Sequence, residues 1–260
     1  MRRSICARYL AAMPQGRRPV RTDWVSPAEA QALFRDTEAR ASASEKSKRG
    51  FFNVPDCDYS LHSGVPPLMS ATQAALIRQV HQKHICDTLN DLSLGTVYET
   101  QLLPVVIRST AYDAMNSGLH SAASEHFNHA FFWRSVKPWG APCGSKFREA
   151  VDAHFSAVGE SLGLAPLIAA MKETAMSSPV SGWTWLLWTE EKLCVRFTPE
   201  GTTPVARDEV PLATLPTLHH FRHIDYGLSA KGKEAFVDNC LKAMDFGCAE
   251  RIYARAITSQ

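Results

Sequence analysis

The chain has 260 residues, of which 45% are hydrophobic, enough to bury the core of one large domain or two small ones. Its apolar runs are short, and the longest, Leu162 to Ala170, is broken by Pro166, so none approaches the roughly 20 residues that cross a bilayer and no membrane span is expected. The formal charge of +2 conceals an asymmetry: residues 1–22 carry six arginines and no acid, leaving 22 basic against 26 acidic side chains, a balance of −4, for the remainder.

Those arginines are Arg2, Arg3, Arg8, Arg17, Arg18 and Arg21. An Arg-rich, acid-free start with Ser4, Leu10 and small alanines reads as a mitochondrial targeting segment. The same residues also read as a solvated basic arm, and an arm of this charge is the part of the chain suited to polyanions such as RNA. Trp24 to Ala39 is predicted as a short helix, with Ser26 as cap, Pro27 in the first turn and Leu33-Phe34 as its apolar face. Residues 41–50 are small, polar and charged, a linker that cannot bury itself. The organisation expected is therefore a basic arm and linker over 1–50, a helical hairpin domain over 51–140, and a C-terminal α+β domain over 141–260.

Between Ser70 and Leu92, Ile77, Val80, Ile85, Leu89 and Leu92 recur at helical spacing, with His81, His84 and Thr88 on the same stripe. A second helix spans about Leu119 to Val136 and sets Ala122, His126, His129 and Trp133 on one face. Together they predict a hairpin. Lys146 to Gly159 and Ala165 to Met176 read as two more helices joined by a turn at Leu162-Gly163-Leu164. From Gly182 the chain turns to Trp, Thr, Val and Phe. Trp183 to Trp188 and Leu193 to Phe197 flank a Thr-Glu-Glu-Lys turn as an antiparallel hairpin, a third strand is expected after Gly201, and Asp238 to Ala254 closes the chain as a helix. Helices, then a small sheet, then a helix argue for an α+β fold.

Seven cysteines (Cys6, Cys57, Cys86, Cys143, Cys194, Cys240, Cys248) are scattered without a C-x-x-C pair, which argues against a disulfide framework or a zinc ribbon and for packing residues in a reducing compartment. No G-x-S-x-G, G-x-x-x-x-G-K-[ST] or G-x-G-x-x-G occurs, so neither a hydrolase elbow nor a phosphate loop is indicated. RNA-recognition motifs with interleaved aromatic and basic residues are absent as well.

Three segments carry a resemblance: Asn128-His129-Ala130-Phe131-Phe132-Trp133, Ser181-Gly182-Trp183-Thr184-Trp185, and His220 followed by Ile224-Asp225-Tyr226, with Gly201-Thr202-Thr203-Pro204 between them. In this order and spacing the chain resembles the iron/manganese superoxide dismutases from about Val54-Pro55 to its C-terminus. The resemblance implies their fold, an N-terminal helical hairpin followed by a domain with a small three-stranded antiparallel sheet flanked by helices. It also implies a metal site of three histidines and one aspartate, since cycling between divalent and trivalent ions suits neutral nitrogens with one anionic oxygen.

Two of those four positions do not hold ligands. His129 and His220 fall on the second and last ligand positions, whereas the first falls on Ile77 and the aspartate on Pro216. The family's gateway tyrosine falls on Ile85, its outer-sphere glutamine on Glu125, and the Glu and Tyr that bridge its dimer on His219 and His223. His81 stands one turn beyond Ile77, about 6 Å along the axis, too far for a ligand that must be placed within about 0.2 Å. The aromatic cluster Phe131, Phe132, Trp133, Trp183 and Trp185 reads as core, and His129 and His220 as partners of each other or of Glu125. The resemblance thus implies a non-catalytic, superoxide dismutase-like pseudoenzyme with no cofactor expected. By likeness to the degenerate members found in mitochondrial ribosomes, it implies a mitochondrial structural component of the ribosomal small subunit, with mitoribosomal proteins and rRNA as neighbours and a related dismutase-like chain as heteromeric partner. The alternative is a mitochondrial iron superoxide dismutase with altered ligands, holding Fe or Mn.

Overall fold

A computed structural model of the chain describes residues 51–156, 162–207 and 209–258. The arginine-rich arm, the Trp24–Ala39 helix and the 41–50 linker lie outside the described residues.

The first long helix, α1, is continuous over 71–93 but not uniform: α-helical Ala71–Ala75 passes into π-helical Leu76–Gln82 and returns to α-helix at Lys83–Ser93. Ser70 caps it, its hydroxyl accepting from the Gln73 amide at 3.2 Å. The π segment inserts a wider turn and changes which residues face inward. The buried series runs Ala74, Ile77, Gln82, Cys86, Leu89, Asn90 and Ser93, with a five-residue step from Ile77 to Gln82, while Val80 and Leu92 are 56% and 44% exposed. The predicted stripe is therefore correct at Ile77 and Leu89 and wrong at Val80 and Leu92.

A short helix, α2 (Leu103–Thr110), begins with Pro104 in its first turn and precedes α3 (Ser117–Ser135). All four predicted inward residues of α3, Ala122, His126, His129 and Trp133, are buried. So are Ala123, Phe127, Asn128, Phe131 and Phe132, because α3 is enclosed on several sides and packs against α1, α2 and the sheet. The Trp133 indole Nε1 donates to Gln82 Oε1 of α1 at 2.9 Å, and Tyr59 donates its hydroxyl to the Trp133 carbonyl at 3.1 Å.

Helices α4 (Ser145–Phe155) and α5 (Ala165–Ser177) precede the sheet. Its strands are β1 (Gly182–Thr189), β2 (Lys192–Pro199) and β3 (Val210–Pro216), antiparallel in the order β2-β1-β3. Glu190 and Glu191 both take positive φ, 49° and 60°, which supplies the tight twist of a two-residue hairpin between β1 and β2. Central β1 is buried on both faces from Gly182 to Trp188, which explains its run of Trp and Leu without polar alternation. Its register with β3 shifts between Leu186, opposite Ala213, and Leu187, opposite Pro211, leaving Leu212 as the extra residue of a bulge where Pro211 has no N–H to give.

The end of the chain departs from expectation. Asp238 to Ala254 is not one helix but parts of two, α6 (Ala230–Lys242) and α7 (Phe246–Thr258). The break falls at Ala243-Met244-Asp245, where competing partners take the backbone: the Asp245 amide donates to Ser135 at 2.8 Å and its carboxylate caps α7 through the Cys248 amide at 2.8 Å. Helix α5 lies against β1 and β2, α4 against β2, and α3, α6 and α7 against β3. One apolar core runs through these contacts and includes Ile77, Phe132, Trp183, Trp185, Leu215, Phe221 and Phe236. Each such side chain contributes about 1.5–3 kcal/mol relative to exposure. The fold is α+β with helices first and a flanked three-stranded antiparallel sheet after, as the sequence suggested. No described helix is long and apolar enough to cross a membrane.

Candidate metal centre

Three elements converge on one buried point. Helix α3 supplies His129, the 3₁₀ turn His219–Phe221 that follows β3 supplies His220, and α1 supplies Ile77 and His81 from its π segment. The turn is tied to α1 by Gln73, which is fully buried: its Nε2 donates to the His220 carbonyl at 2.7 Å and its Oε1 accepts from the Ile224 amide at 3.0 Å. Asp225 adds a second tie, accepting from the Ser70 amide and hydroxyl, each at 2.7 Å. Tyr226 makes a third, donating its hydroxyl to the Leu68 carbonyl at 2.5 Å while accepting from Asn239 of α6 at 3.0 Å.

His129 is 2% exposed, and its Nδ1 lies 2.9 Å from the carbonyl oxygen of Glu125 one turn earlier. A carbonyl only accepts, so Nδ1 carries the proton and Nε2 of the neutral ring carries the lone pair. That Nε2 is 3.3 Å from Nε2 of His220. Two lone pairs facing at that distance repel, so His220 is protonated at Nε2 and donates to His129. The pair shares one proton and is complete without a further charge.

Burial holds both rings neutral: it lowers the His129 pKa to about 3, with His220, His126 and His81 nearby adding to the effect against the favourable Glu125 bond. It lowers that of His220 to about 4, reinforced by His81, His223 and His219. His126, on the same helix, is brought to about 4 by burial as well. Aromatic rings complete the surroundings, with Phe221 and Trp183 at 5.1 and 5.4 Å from the His129 ring centre.

The two other positions that the resemblance marks carry no side-chain donor. Ile77 is fully buried and its side chain is hydrocarbon; Pro216 ends β3 opposite Trp183, buried, with a pyrrolidine ring where a carboxylate would be required. Glu125 turns its carbonyl, not its carboxylate, to His129, and the carboxylate packs beside Gly201. Burial raises the Glu125 pKa, and Glu200 raises it further. Asp225 is occupied by Ser70, and Asp208 lies outside the described residues. Among the described residues no three His, Cys, Asp or Glu side chains are grouped to hold an ion. An iron or manganese centre of three imidazoles and a carboxylate does not fit this donor set.

His81 comes nearer than its helical rise suggests. Its ring, on the π segment of α1, stacks on His220 with centres 4.5 Å apart and planes at 29°. Stacking presents ring face to ring face, a packing contact and not a hydrogen bond between the two imidazoles. Gln73 is a supporting residue that no sequence motif marked. Of the other positions, His219 and His223 are exposed, Ile85 is half-buried, and the arginines of the arm lie outside the described residues.

The comparisons agree with this architecture. The family described as iron/manganese superoxide dismutases, C-terminal domain, matches residues 144–252. The chain is 32% identical over 181 residues to a superoxide dismutase [Fe] of Nostoc sp., covering 68% of this chain and 84% of that protein. It is 30% identical over 178 residues to the superoxide dismutase [Fe] of Escherichia coli, covering 67% and 86%. A superoxide dismutase [Fe] of Synechococcus elongatus is 30% identical over 151 residues, 56% of this chain and 72% of that one. With the C-terminal-domain family matching residues 144–252 and relatives at 30% identity or more matched over most of their length, the chain belongs to the iron/manganese superoxide dismutase family.

Proposed function

We propose that this chain is a non-catalytic member of its family, a structural protein of the mitochondrion built into the small subunit of the mitochondrial ribosome. The observation that carries the loss of catalysis is the His129–His220 pair: the two imidazoles satisfy each other at 3.3 Å, with hydrocarbon at Ile77 and a pyrrolidine at Pro216. Catalysis in the relatives named as iron enzymes needs an ion, and here a proton does the ion's work of holding two nitrogens together. The ribosomal placement rests on the arginine-rich start of the chain beside an acidic remainder, and on the likeness to degenerate family members in that particle. Neighbouring ribosomal proteins, rRNA reached through Arg2, Arg3, Arg8, Arg17, Arg18 and Arg21, and a second dismutase-like chain are the partners this reading implies.

Sedimentation of native mitochondrial extract tests it. The chain should travel with the small subunit and be displaced from it by high salt once the six arginines are replaced. A chain that stays at the top of the gradient, or that sediments unchanged without its arm arginines, would remove the ribosomal reading or the role of the arm.

One contact favours a second reading, an iron superoxide dismutase with displaced ligands: His81 brings a third imidazole against His220. In that case His81→Ala would abolish metal binding and superoxide removal. On the structural reading it costs only packing, and the chain has no such activity to lose.

A further inference from the structure

The loop between α3 and α4 holds a tryptophan in a costly position. Trp139 is 74% exposed, and its φ of 64° lies in the left-handed region, where a residue bearing a Cβ is strained and a bulky one rarely sits. Neither burial nor an easy backbone accounts for an indole here. The conformation is imposed by the surrounding chain: the Lys137 amide donates to the Ala243 carbonyl at 2.9 Å, the Trp139 amide to the Pro66 carbonyl at 2.7 Å, and the Ala141 amide to the Met244 carbonyl at 3.1 Å. The Gly140 amide closes the turn on the Lys137 carbonyl at 2.9 Å. With φ 67°, Gly140 passes so close to the end of α6 that a Cβ would stand 2.6 Å from the Lys242 carbonyl oxygen. The ring is therefore presented on backbone that is fixed before anything binds.

Its surroundings are basic. Residues 134–148 contain Arg134, Lys137, Lys146 and Arg148 and no acid, in a chain whose residues after 22 carry a balance of −4. Lys137 stands two residues before the indole, and the close approach at Gly140 sets Lys242 of α6 against the same turn. Both lysines reach solvent. Asp245 meets the Lys137 ammonium only at 4.0 Å and has its other oxygen on the Cys248 amide, while the Lys242 ammonium donates to the neutral Asn239 side chain at 3.2 Å. No other large hydrophobic side chain of residues 64–69, 134–148 or 239–247 is exposed. The aromatic anchor of a protein interface is ringed by further contacts that exclude water. A lone bare ring among cations is instead what single-stranded nucleic acids use, with a base on the ring and phosphates on the cations.

The geometry points to Trp139, Lys137 and Lys242 as a binding site for single-stranded nucleic acid on the folded body of the chain. A nucleobase stacks on the exposed indole face, and the phosphates on either side of it meet the two ammonium groups. Every base has a π face, so the contact tolerates any sequence. On the ribosomal reading the strand is rRNA, met here by the body and not by the arginine-rich arm. The site does not rest on that placement, because a purified chain and a free oligonucleotide suffice to form it.

Titration of a short, unpaired, end-labelled RNA with the full chain, read by fluorescence anisotropy, tests the proposal. Binding should also shield indole fluorescence from acrylamide, a change that Trp139→Phe removes while keeping most of the affinity. Trp139→Asn, which suits the left-handed backbone and takes away the ring, should weaken binding about tenfold and yet raise the thermal unfolding midpoint. The same loss should appear in a chain whose six arm arginines are already replaced, so that failure of the arm and failure of this site are told apart. Lys242→Ala should reduce the slope of log affinity against log salt by about 0.7. DNA of the same sequence separates the sources: weaker binding than RNA assigns RNA, and equal binding assigns a strand held without its 2′-hydroxyls. Wild-type affinity in Trp139→Asn, or equal shielding of the indole by polyglutamate at the same ionic strength, would overturn the site.

Discussion

On the proposed reading, the two histidines are ligand residues that have outlived their ion. An imidazole that loses its metal becomes a buried polar group, and it stays acceptable only with hydrogen bonds. His129 has the Glu125 carbonyl on one nitrogen and His220 on the other. The cost appears on acidification. Folded-state pKa values of about 4, 3 and 4 for His126, His129 and His220 lie below the unfolded value near 6.5, so the unfolded chain binds more protons in between. Stability from these groups is complete above pH 6.5 and falls as the pH drops toward 4, by at most about 1.4 kcal/mol per pH unit for each imidazole. Glu125 acts in the opposite sense, since burial raises its pKa, but one carboxyl does not balance three rings. Urea unfolding followed from pH 7 to pH 4.5 should show this slope, and His126→Gln should reduce it by about a third. A flat profile would mean that the rings take up protons equally in the folded and unfolded chain, so that burial does not hold them neutral.

At the level of elements, residue pattern reveals what is periodic and local and hides what is imposed by contact. The β1–β2 hairpin, the third strand and α3 were legible because aromatic runs, a Glu-Glu turn and a three-to-four spacing announce them. The π segment of α1 was not, since no residue type encodes it; it is stabilised by what it buries, Ile77 and Gln82. The break between α6 and α7 was hidden for the same reason, because Asp245 is captured by Ser135, which is remote in sequence. In the site, Ile77 and Pro216 were picked out only by likeness to the family, whereas the stacking of His81 and the clamp of Gln73 depend on tertiary placement. Two substitutions test these contacts. Gln82→Ala leaves the Trp133 indole without an acceptor and should cost about 1–3 kcal/mol in denaturant unfolding. Gly182→Ala would place a Cβ 2.2 Å from the Thr198 carbonyl across the hairpin and should lower stability by about 1–3 kcal/mol.

Across the whole molecule, the residues of the family likeness divide by what they do now. Phe132, Trp183 and Trp185 form the core between α3 and the sheet; Asp225 and Tyr226 tie the turn after β3 to the start of α1 and to α6. All of these contacts serve folding, and none needs an ion. Phe132→Ala should therefore cost about 3–5 kcal/mol, as for any large core aromatic, whether or not metal is supplied to the medium. The proposed loss of catalysis rests on the donor set at one buried point. The direct test is elemental analysis of the full chain, purified from cells grown with excess iron and manganese, together with its rate of superoxide removal. The expected result is far less than one iron or manganese per chain and no removal above that of the buffer. Near one ion per chain, with rapid removal lost on replacing His129 or His220, would contradict it.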